Sequence, residues 1–314
     1  MEIAITVDEL LLWDGTPMPS GYTPHSVMDS LLGALSEHDV AGAYGFAHTA
    51  PIEDDPANRD ILDRWVDAGH HLGNHTHCHA CLNWVTGQQY VDDIKRSEEY
   101  VGGYVEKAPT KYFRYAMDMS GESECKRGVV EDHLRAEGYV NAPITAWFGD
   151  FAWIAPYCRA LKSGDRDAAR MLRESYIGAA VGQLVAAHET ERRLYRSDVP
   201  LIWLIHGTAI AQDCVGEILG RFAELGAEFV SLEQAMASPV NRVMSPVSPL
   251  FRNHLQRLAA AVGDEIPATA TPEQMAQILT AALPDGDDPF GVYDDLIHRM
   301  AARAGGTIEH WSWA

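Results

Sequence analysis

A histidine-rich segment, residues 69–79, offers the most reactive group of side chains in the chain. It contains five histidines and one cysteine, and transition metals accept both imidazole nitrogen and thiolate sulfur as ligands. Two of the histidines, His75 and His79, are spaced i, i+4. If the segment opens a helix, this spacing places both rings on one face, within reach of a single ion. His77 then faces away, because it lies two residues from each partner.

A carboxylate completes a three-ligand set. Asp8 and Glu9 follow a largely β-branched, apolar run at residues 2–7, so they stand at the end of a predicted strand. Glu9 with His75 and His79 leaves the fourth tetrahedral position of a zinc ion open for water, as in catalytic zinc sites. A divalent cation there would promote hydrolysis of an amide or ester. Asp8 is the candidate general base for the water.

Three further residues lie at or after predicted strands: Arg114, Asp150 and His206. Each has an ordinary structural interpretation: a surface ion pair, a loop cap and a hydrogen-bonded core histidine. The paired acids alone could also be a helix cap or a solvated turn. Joint occurrence in one α/β framework favours the functional interpretation of all of them.

The cysteines give a weaker signal. Cys78 and Cys81 form a C-x-x-C pair, but a structural zinc site needs a second pair, which Cys125, Cys158 and Cys214 do not supply. A thioredoxin-like redox motif would lack the flanking histidines, so we interpret these thiols as packing residues. Their odd number and irregular spacing favour a reducing compartment over a disulfide framework.

Composition narrows the classes of partner. The chain has 314 residues, of which 46% are hydrophobic, enough for one large α/β domain or two smaller ones. A formal charge of −21 disfavours nucleic acid and anionic membrane surfaces, and it favours a neutral or cationic small molecule. No leader and no apolar run of about 18 residues is evident, so we expect a cytoplasmic protein. A homo-oligomer is left open.

Strands and helices alternate along the first three quarters of the chain. Helices are predicted after the Thr23-Pro24 cap and at residues 56–68, 86–105, 122–137, 165–194 and 215–225. Strands are predicted at residues 2–7, 41–46, 71–73, 112–115, 139–145, 201–205 and 227–230. The pattern predicts a parallel sheet with helices outside, as a barrel or an open doubly wound sheet. In a barrel, functional residues gather at the carboxyl ends of the strands, where all seven candidates lie.

After residue 238 the alternation stops. Helical patterns at residues 251–262, 272–283 and 294–304 precede a terminal Trp311-Ser312-Trp313. We therefore predict a barrel domain at residues 1–238 and a helical C-terminal extension at residues 239–314, packed over the barrel or at a subunit contact.

Five short motifs in this order resemble the polysaccharide deacetylase (NodB-homology) family, over roughly residues 2–238. Residues 74–79 match the His-Ser/Thr-x-x-His motif, and residues 204–206 match Leu-x-His. Residues 5–9 resemble Thr-Phe-Asp-Asp, residues 113–117 resemble the arginine motif, and Asp150-Phe151 is similar to an Asp-Trp motif.

The resemblance implies a distorted (β/α) barrel and an N-deacetylation that uses a divalent metal, usually Zn²⁺. It implies that Glu9, His75 and His79 bind the metal and that Asp8 is the general base, paired with Arg114. A backbone amide after Arg114 would help bind the oxyanion. His206, oriented by Asp150, would be the general acid for the leaving amine.

Some residues depart from the family pattern. Glu9 replaces the usual aspartate and Leu10 the usual glycine, while Ala116 and Met117 replace the proline and aromatic residue that wall the sugar groove. We therefore expect a small soluble N-acylated substrate rather than a polysaccharide. The alternatives are hydrolysis of a cyclic or other non-acetyl amide, and a non-catalytic binding protein on the same fold.

Overall fold

Seven parallel strands form the sheet in the computed structural model, which describes residues 1–13, 15–266 and 291–308. Their bounds are β1 Glu2–Asp8, β2 Tyr44–Ala47, β3 His71–Asn74, β4 Tyr112–Phe113, β5 Val140–Asn141, β6 Leu201–His206 and β7 Glu228–Phe229. The spatial order is β5-β4-β3-β2-β1-β6, and β7 pairs with the start of β1.

The two edges of this sheet meet just beyond β5. Ala146 bridges in parallel to Trp203 of β6. The backbone N–H groups of Thr145 and Ala146 donate to Ile202 O at 3.0 and 3.1 Å, and Leu204 N donates to Ala146 O at 3.1 Å. The sheet therefore closes on itself through a short irregular segment. The predicted distorted (β/α) barrel is confirmed.

Helices surround the barrel between the strands. Their bounds are α1 Pro24–Glu37, α2 Ala50–Asp54, α3 Arg59–Asp67, α4 Gly87–Val105, α5 Glu124–Ala136, α6 Ile154–Ser163, α7 Arg166–Tyr195, α8 Ala209–Glu224, α9 Leu232–Met236, α10 Pro239–Arg242, α11 His254–Ala261 and α12 Gly291–Arg303. Thr23 and Thr86 cap α1 and α4, each in a capping box with the third residue of the helix. The predicted helices before residue 238 are all found, with ends shifted by a few residues.

The structure adds elements that the sequence patterns did not predict. Helices α2 and α6 lie within stretches for which the sequence patterns predict no element, and the predicted strand at 139–145 reduces to two residues of regular pairing. The helical pattern at 272–283 and the terminal Trp311-Ser312-Trp313 lie outside the described residues. The predicted extension packs on the barrel where it is described: His254 N donates to Asp118 Oδ2 at 2.5 Å. The boundary at residue 238 stays a prediction.

Strand alternation decides which way the residues of β1 point. Ile3, Ile5 and Val7 belong to the large hydrophobic cluster that the strands share with the helices. Ala4 belongs to a separate cluster, together with Tyr44, Phe46 and Ile202 from the neighbouring strands, inside the barrel. Because successive side chains alternate between the two faces, Asp8 shares the inner face with Ala4.

We expect Gly73→Ala to destabilise the barrel. A Cβ on Gly73 would lie 2.4 Å from Phe46 Cε1 and 3.1 Å from Tyr112 O, so the ring or the neighbouring strand must shift. The expected loss is about 1–3 kcal/mol of unfolding free energy, measured by urea denaturation. Gly103→Ala in α4 is the control, because nothing lies within 4 Å of its added Cβ. An unchanged midpoint for Gly73→Ala would contradict this packing.

Candidate active site

A buried ion pair lies where β1 ends. Arg114 Nη1 donates to Asp8 Oδ1 at 2.6 Å, and both residues are almost fully buried. The same Nη1 donates to Thr6 Oγ1 at 2.8 Å, while Nε donates to Ala142 O at 3.0 Å. Burial raises the pKa of Asp8, against the lowering effect of the Arg114 and His206 charges. The structure thus brings together the predicted base and arginine.

The free oxygen of this carboxylate points toward the histidine segment. Asp8 Oδ2 lies 3.6 Å from His75 Nε2, and His75 Nε2 lies 3.1 Å from His79 Nε2. His79 Nε2 in turn lies 3.2 Å from Glu9 Oε1, which lies 4.0 Å from His206 Nε2. Five of the seven predicted residues are therefore connected by consecutive contacts, in the order Asp8, His75, His79, Glu9 and His206.

The i, i+4 helix premise for the two histidines is wrong. The chain after β3 is a loop in which Thr76 and His79 have φ angles of 65° and 55°. Asn74 Oδ1 accepts from Thr76 N at 2.9 Å, and Thr76 Oγ1 accepts from His79 N at 3.0 Å. The Asp93 carboxylate also accepts from the backbone N–H of residue 78. These side-chain bonds replace the helical ladder and still bring the two rings together.

Both imidazoles are neutral in this environment. Burial lowers the pKa of His75 to about 3 and that of His79 well below its usual value. His75 Nδ1 lies 2.9 Å from Arg114 O, which can only accept, so Nδ1 carries the proton and Nε2 presents a lone pair. Burial raises the pKa of Glu9 to about 7, with the His206 charge opposing this shift.

The donor set suits a divalent cation in chemistry but is not closed. Two tetrahedral ligands at about 2.0–2.1 Å from zinc lie roughly 3.3 Å apart, close to the His75–His79 and His79–Glu9 separations. Glu9 makes no ion pair with His75 within the described residues, and no group of three or more histidine, cysteine, aspartate or glutamate side chains there is arranged to hold a metal ion. For all three candidate ligands to reach one ion, Glu9 would have to move.

His206 is the last residue in this series of contacts. Its Nδ1 donates to Asp150 Oδ1 at 2.7 Å, and its backbone N–H donates to Asp150 Oδ2 at 2.9 Å. Trp147 Nε1 donates to the same carboxylate at 2.9 Å. Burial by itself would lower the pKa of His206, but the carboxylates of Asp150, Glu9 and Asp8 together raise it to about 10. These carboxylates favour the protonated ring, whose Nε2 lies 4.0 Å from Glu9 Oε1.

A small cavity opens onto these groups. It measures about 90 Å³, and its polar lining includes Asp8, Glu9, His79 and His206. Most of the remaining lining is apolar or aromatic. It comes from the β1–α1 loop, β6 and the segments after β4 and β5, the segment around α6 and the C-terminal extension: Leu12, Trp13, Met117, Ile144, Trp147, Phe151, Ile154, Leu204, Phe251, Tyr293, Leu296, Ile297 and Met300. The volume is smaller than the roughly 150 Å³ of an engineered cavity that holds benzene.

Helix α12 covers the cavity, which the sequence patterns did not predict. Tyr293, Leu296, Ile297 and Met300 recur at the spacing of one helical face, and all four are buried. Tyr293 Oη donates to Phe151 O at 2.5 Å. The stripe is visible in the sequence as an amphipathic pattern, but it does not say which surface it covers.

The remaining residues of the histidine segment point elsewhere. His77 Nδ1 lies 2.8 Å from Thr49 Oγ1, and its Nε2 lies 2.9 Å from Glu53 Oε2. Glu53 also accepts from Arg303 of α12 at 2.6 Å. The thiols of Cys78 and Cys81 are buried and free. His77 thus faces away from the candidate metal ligands, as predicted, although a loop rather than a helix turns it.

No helix in the described part of the chain is both long and apolar enough to cross a membrane.

Several solved structures are similar to this chain at low identity. A family 4 carbohydrate esterase from Streptomyces lividans, in complex with acetate, is 18% identical over 78% of this chain and 97% of its own, with a TM-score of 0.45. PdaA of Bacillus subtilis, also a family 4 carbohydrate esterase, is 19% identical over 75% and 80%, with a TM-score of 0.45. BA3943 of Bacillus anthracis, a CE4 family pseudoenzyme, is 13% identical over 75% and 65%, with a TM-score of 0.45. Likeness at this level carries no conclusion about activity.

The sequence comparisons identify a family for part of the chain. Among curated proteins, none matches the chain. Residues 3–121 match the family model described as polysaccharide deacetylase, and this stretch includes Asp8, Glu9, His75, His79 and Arg114. The resemblance that the motifs predicted is therefore supported by a family match over residues 3–121.

Proposed function

We propose that this protein is a cytoplasmic metal-dependent hydrolase that cleaves a C–N amide bond, the N-acetyl group of a small soluble compound. One observation carries the proposal: a buried base, a histidine–carboxylate donor set and a protonated histidine line one small cavity. Asp8, His79 and His206 mark these three parts. The match of residues 3–121 to the polysaccharide deacetylase family model supports the same reaction.

Glu9, His75 and His79 would hold the divalent cation, for which we propose Zn²⁺, and this cation supplies Lewis acidity toward water and the carbonyl oxygen when bound. The protein groups have separate tasks. Asp8 uses Oδ1 for Arg114, so only Oδ2 is free to accept the proton of the attacking water. Because burial raises the pKa of Asp8, it is a stronger base than an exposed aspartate.

His206 supplies the proton for the leaving nitrogen. Its Nδ1–H is fixed by Asp150, which leaves Nε2–H as the proton that faces the cavity. With the pKa raised to about 10, the ring is charged at neutral pH and can act as a general acid. The base and the acid lie on neighbouring strands, where Asp8 of β1 pairs in register with His206 of β6, and both line the same cavity.

The cavity supports a compact substrate. Its walls are largely apolar, and α12 covers it with Tyr293, Leu296, Ile297 and Met300. A polysaccharide needs an open groove along which several sugar rings can lie, whereas a volume of about 90 Å³ suits a short acyl group. A small N-acetyl compound therefore fits this geometry better than a polymer.

The first test measures metal and product together. We expect purified protein to contain about one divalent ion per chain and to release acetate from small N-acetyl amides, detected by mass spectrometry. His75→Ala should lose both properties, since it removes a donor nitrogen. His77→Ala should keep both, because His77 bonds to Thr49 and Glu53 instead. Metal-free, inactive wild-type protein would refute the proposal, and ring opening without acetate would assign a cyclic amide as substrate.

Asp150→Asn should change the pH dependence of catalysis. In the wild-type protein the Asp150 carboxylate raises the pKa of His206, so the acid form persists into alkaline solution. Without that carboxylate, burial lowers the pKa, and the alkaline limb of kcat/KM moves to lower pH. At neutral pH we expect a loss of roughly 10²–10⁴ in kcat. An unchanged alkaline limb would show that His206 is not the acid.

Met300→Ala should widen the acyl selectivity. Met300 is buried in α12 and lines the cavity, so truncation leaves space for a longer chain. We expect the ratio of kcat/KM for N-butyryl over N-acetyl substrates to rise roughly tenfold. Met236→Ala is the matched control, because that buried methionine lies in the cluster inside the barrel, away from the cavity lining. An equal ratio in both variants would contradict the role of α12.

A further inference from the structure

A buried histidine next to the donor set has no assigned role. His48 follows β2 directly, at the carboxyl end of the barrel, and it is fully buried. Neither of its ring nitrogens has a hydrogen-bond partner among the described residues. Leaving one buried polar group unpaired costs about 1–3 kcal/mol, so two on one ring need an explanation.

The rings around His48 place it against a proposed metal ligand. Its ring centroid lies 5.6 Å from that of His79, and it stacks on Trp13 with centroids 5.3 Å apart and planes within 8°. The stacked indole holds the imidazole in one plane beside His79. An N–H···N bond of about 3 Å between two imidazoles places their centroids roughly 5–5.5 Å apart. The observed separation of 5.6 Å is close to this range, so the two rings are near enough for a direct bond once their nitrogens face each other.

The tautomer of His79 creates the need for such a bond. If His79 Nε2 gives its lone pair to a cation, the ring proton must lie on Nδ1. His79 Nδ1 is buried and has no partner among the described residues. His75, in contrast, has Arg114 O beside its Nδ1 at 2.9 Å. Metal-binding histidines almost always donate their second ring N–H to such an acceptor.

We propose that His48 is a positioning residue that accepts a hydrogen bond from Nδ1–H of His79 and so fixes the ring whose Nε2 binds the cation. This inference rests on the proposed metal site. It pairs Nδ1 of His79 with one of the two unpaired nitrogens of His48, and it gives His79 the support that the Arg114 carbonyl gives His75.

The test measures cation affinity rather than turnover. Zn²⁺ is titrated into the wild-type protein and variants in competition with a chromogenic chelator. His48→Leu removes the acceptor while keeping an apolar side chain, and we expect its Kd to rise roughly 10–100-fold. His48→Asn and His48→Gln place an amide oxygen near one ring nitrogen each, so one of them should remain near the wild-type Kd.

His70→Leu is the matched control. His70 is also a buried histidine, but it lies before β3, at the other end of the strands, where its Nδ1 accepts from Ala43 N. It should lose stability without losing Zn²⁺ affinity. If His48→Leu binds Zn²⁺ as tightly as the wild-type protein, the inference is wrong and the proposed function stands. If the wild-type protein binds no divalent cation, both fail.

A second measurement does not require the variant to fold. In the Zn²⁺-loaded wild-type protein, ¹⁵N spectra of the imidazoles should show the proton of His79 on Nδ1 and a hydrogen-bonded acceptor nitrogen on His48. A His48 ring with no hydrogen-bonded nitrogen would overturn the inference.

Discussion

The pairing of Arg114 with Asp8 is the constraint on which the site depends. A buried guanidinium without a partner costs several kcal/mol, so the surrounding chain has to supply acceptors. It does so from several elements: Thr6 and Asp8 of β1 and the carbonyl of Ala142 after β5. One side chain thereby ties the first strand to the segment that closes the barrel. The same pairing leaves a single carboxylate oxygen of Asp8 available for chemistry.

Several carboxylates lie close to one another near this ion pair. Asp8, Glu9 and Asp150 approach one another around the cavity, and burial already raises the pKa of Glu9 to about 7. His206 compensates part of that charge through its contact with Asp150. A divalent cation at Glu9 would compensate the remaining negative charge of these carboxylates. Such compensation is needed because like charges in a poorly hydrated site repel strongly. The proposed cation and the proposed general acid therefore both reduce the repulsion among the same carboxylates.

Much of this arrangement was predictable from local patterns. Alternating strand and helix signals predict a parallel sheet, as a barrel or an open doubly wound sheet, and the family resemblance implies the barrel. The strand-end rule gathers Asp8, His75 and His206 at one end. The same rule applies to His48, which follows β2 directly and was overlooked. The loop geometry was not predictable, because the left-handed conformation of His79 depends on side-chain bonds rather than on periodicity. The C-terminal extension was predicted to pack over the barrel or at a subunit contact, but the placement of α12 on the cavity was not predictable, since an amphipathic stripe does not identify the surface it covers.

One glycine shows how far the site extends into the sheet. Gly73 has no side chain, so the ring of Phe46 can occupy the space beside it on the neighbouring strand. The Arg114 guanidinium carbon lies over the face of that ring, 3.9 Å from the ring centroid. In this position the cation is attracted by the aromatic quadrupole. The absence of one methyl group on β3 thus shapes the electrostatic surroundings of Asp8 on β1. The geometry of the site therefore depends in part on residues that do not contact the substrate.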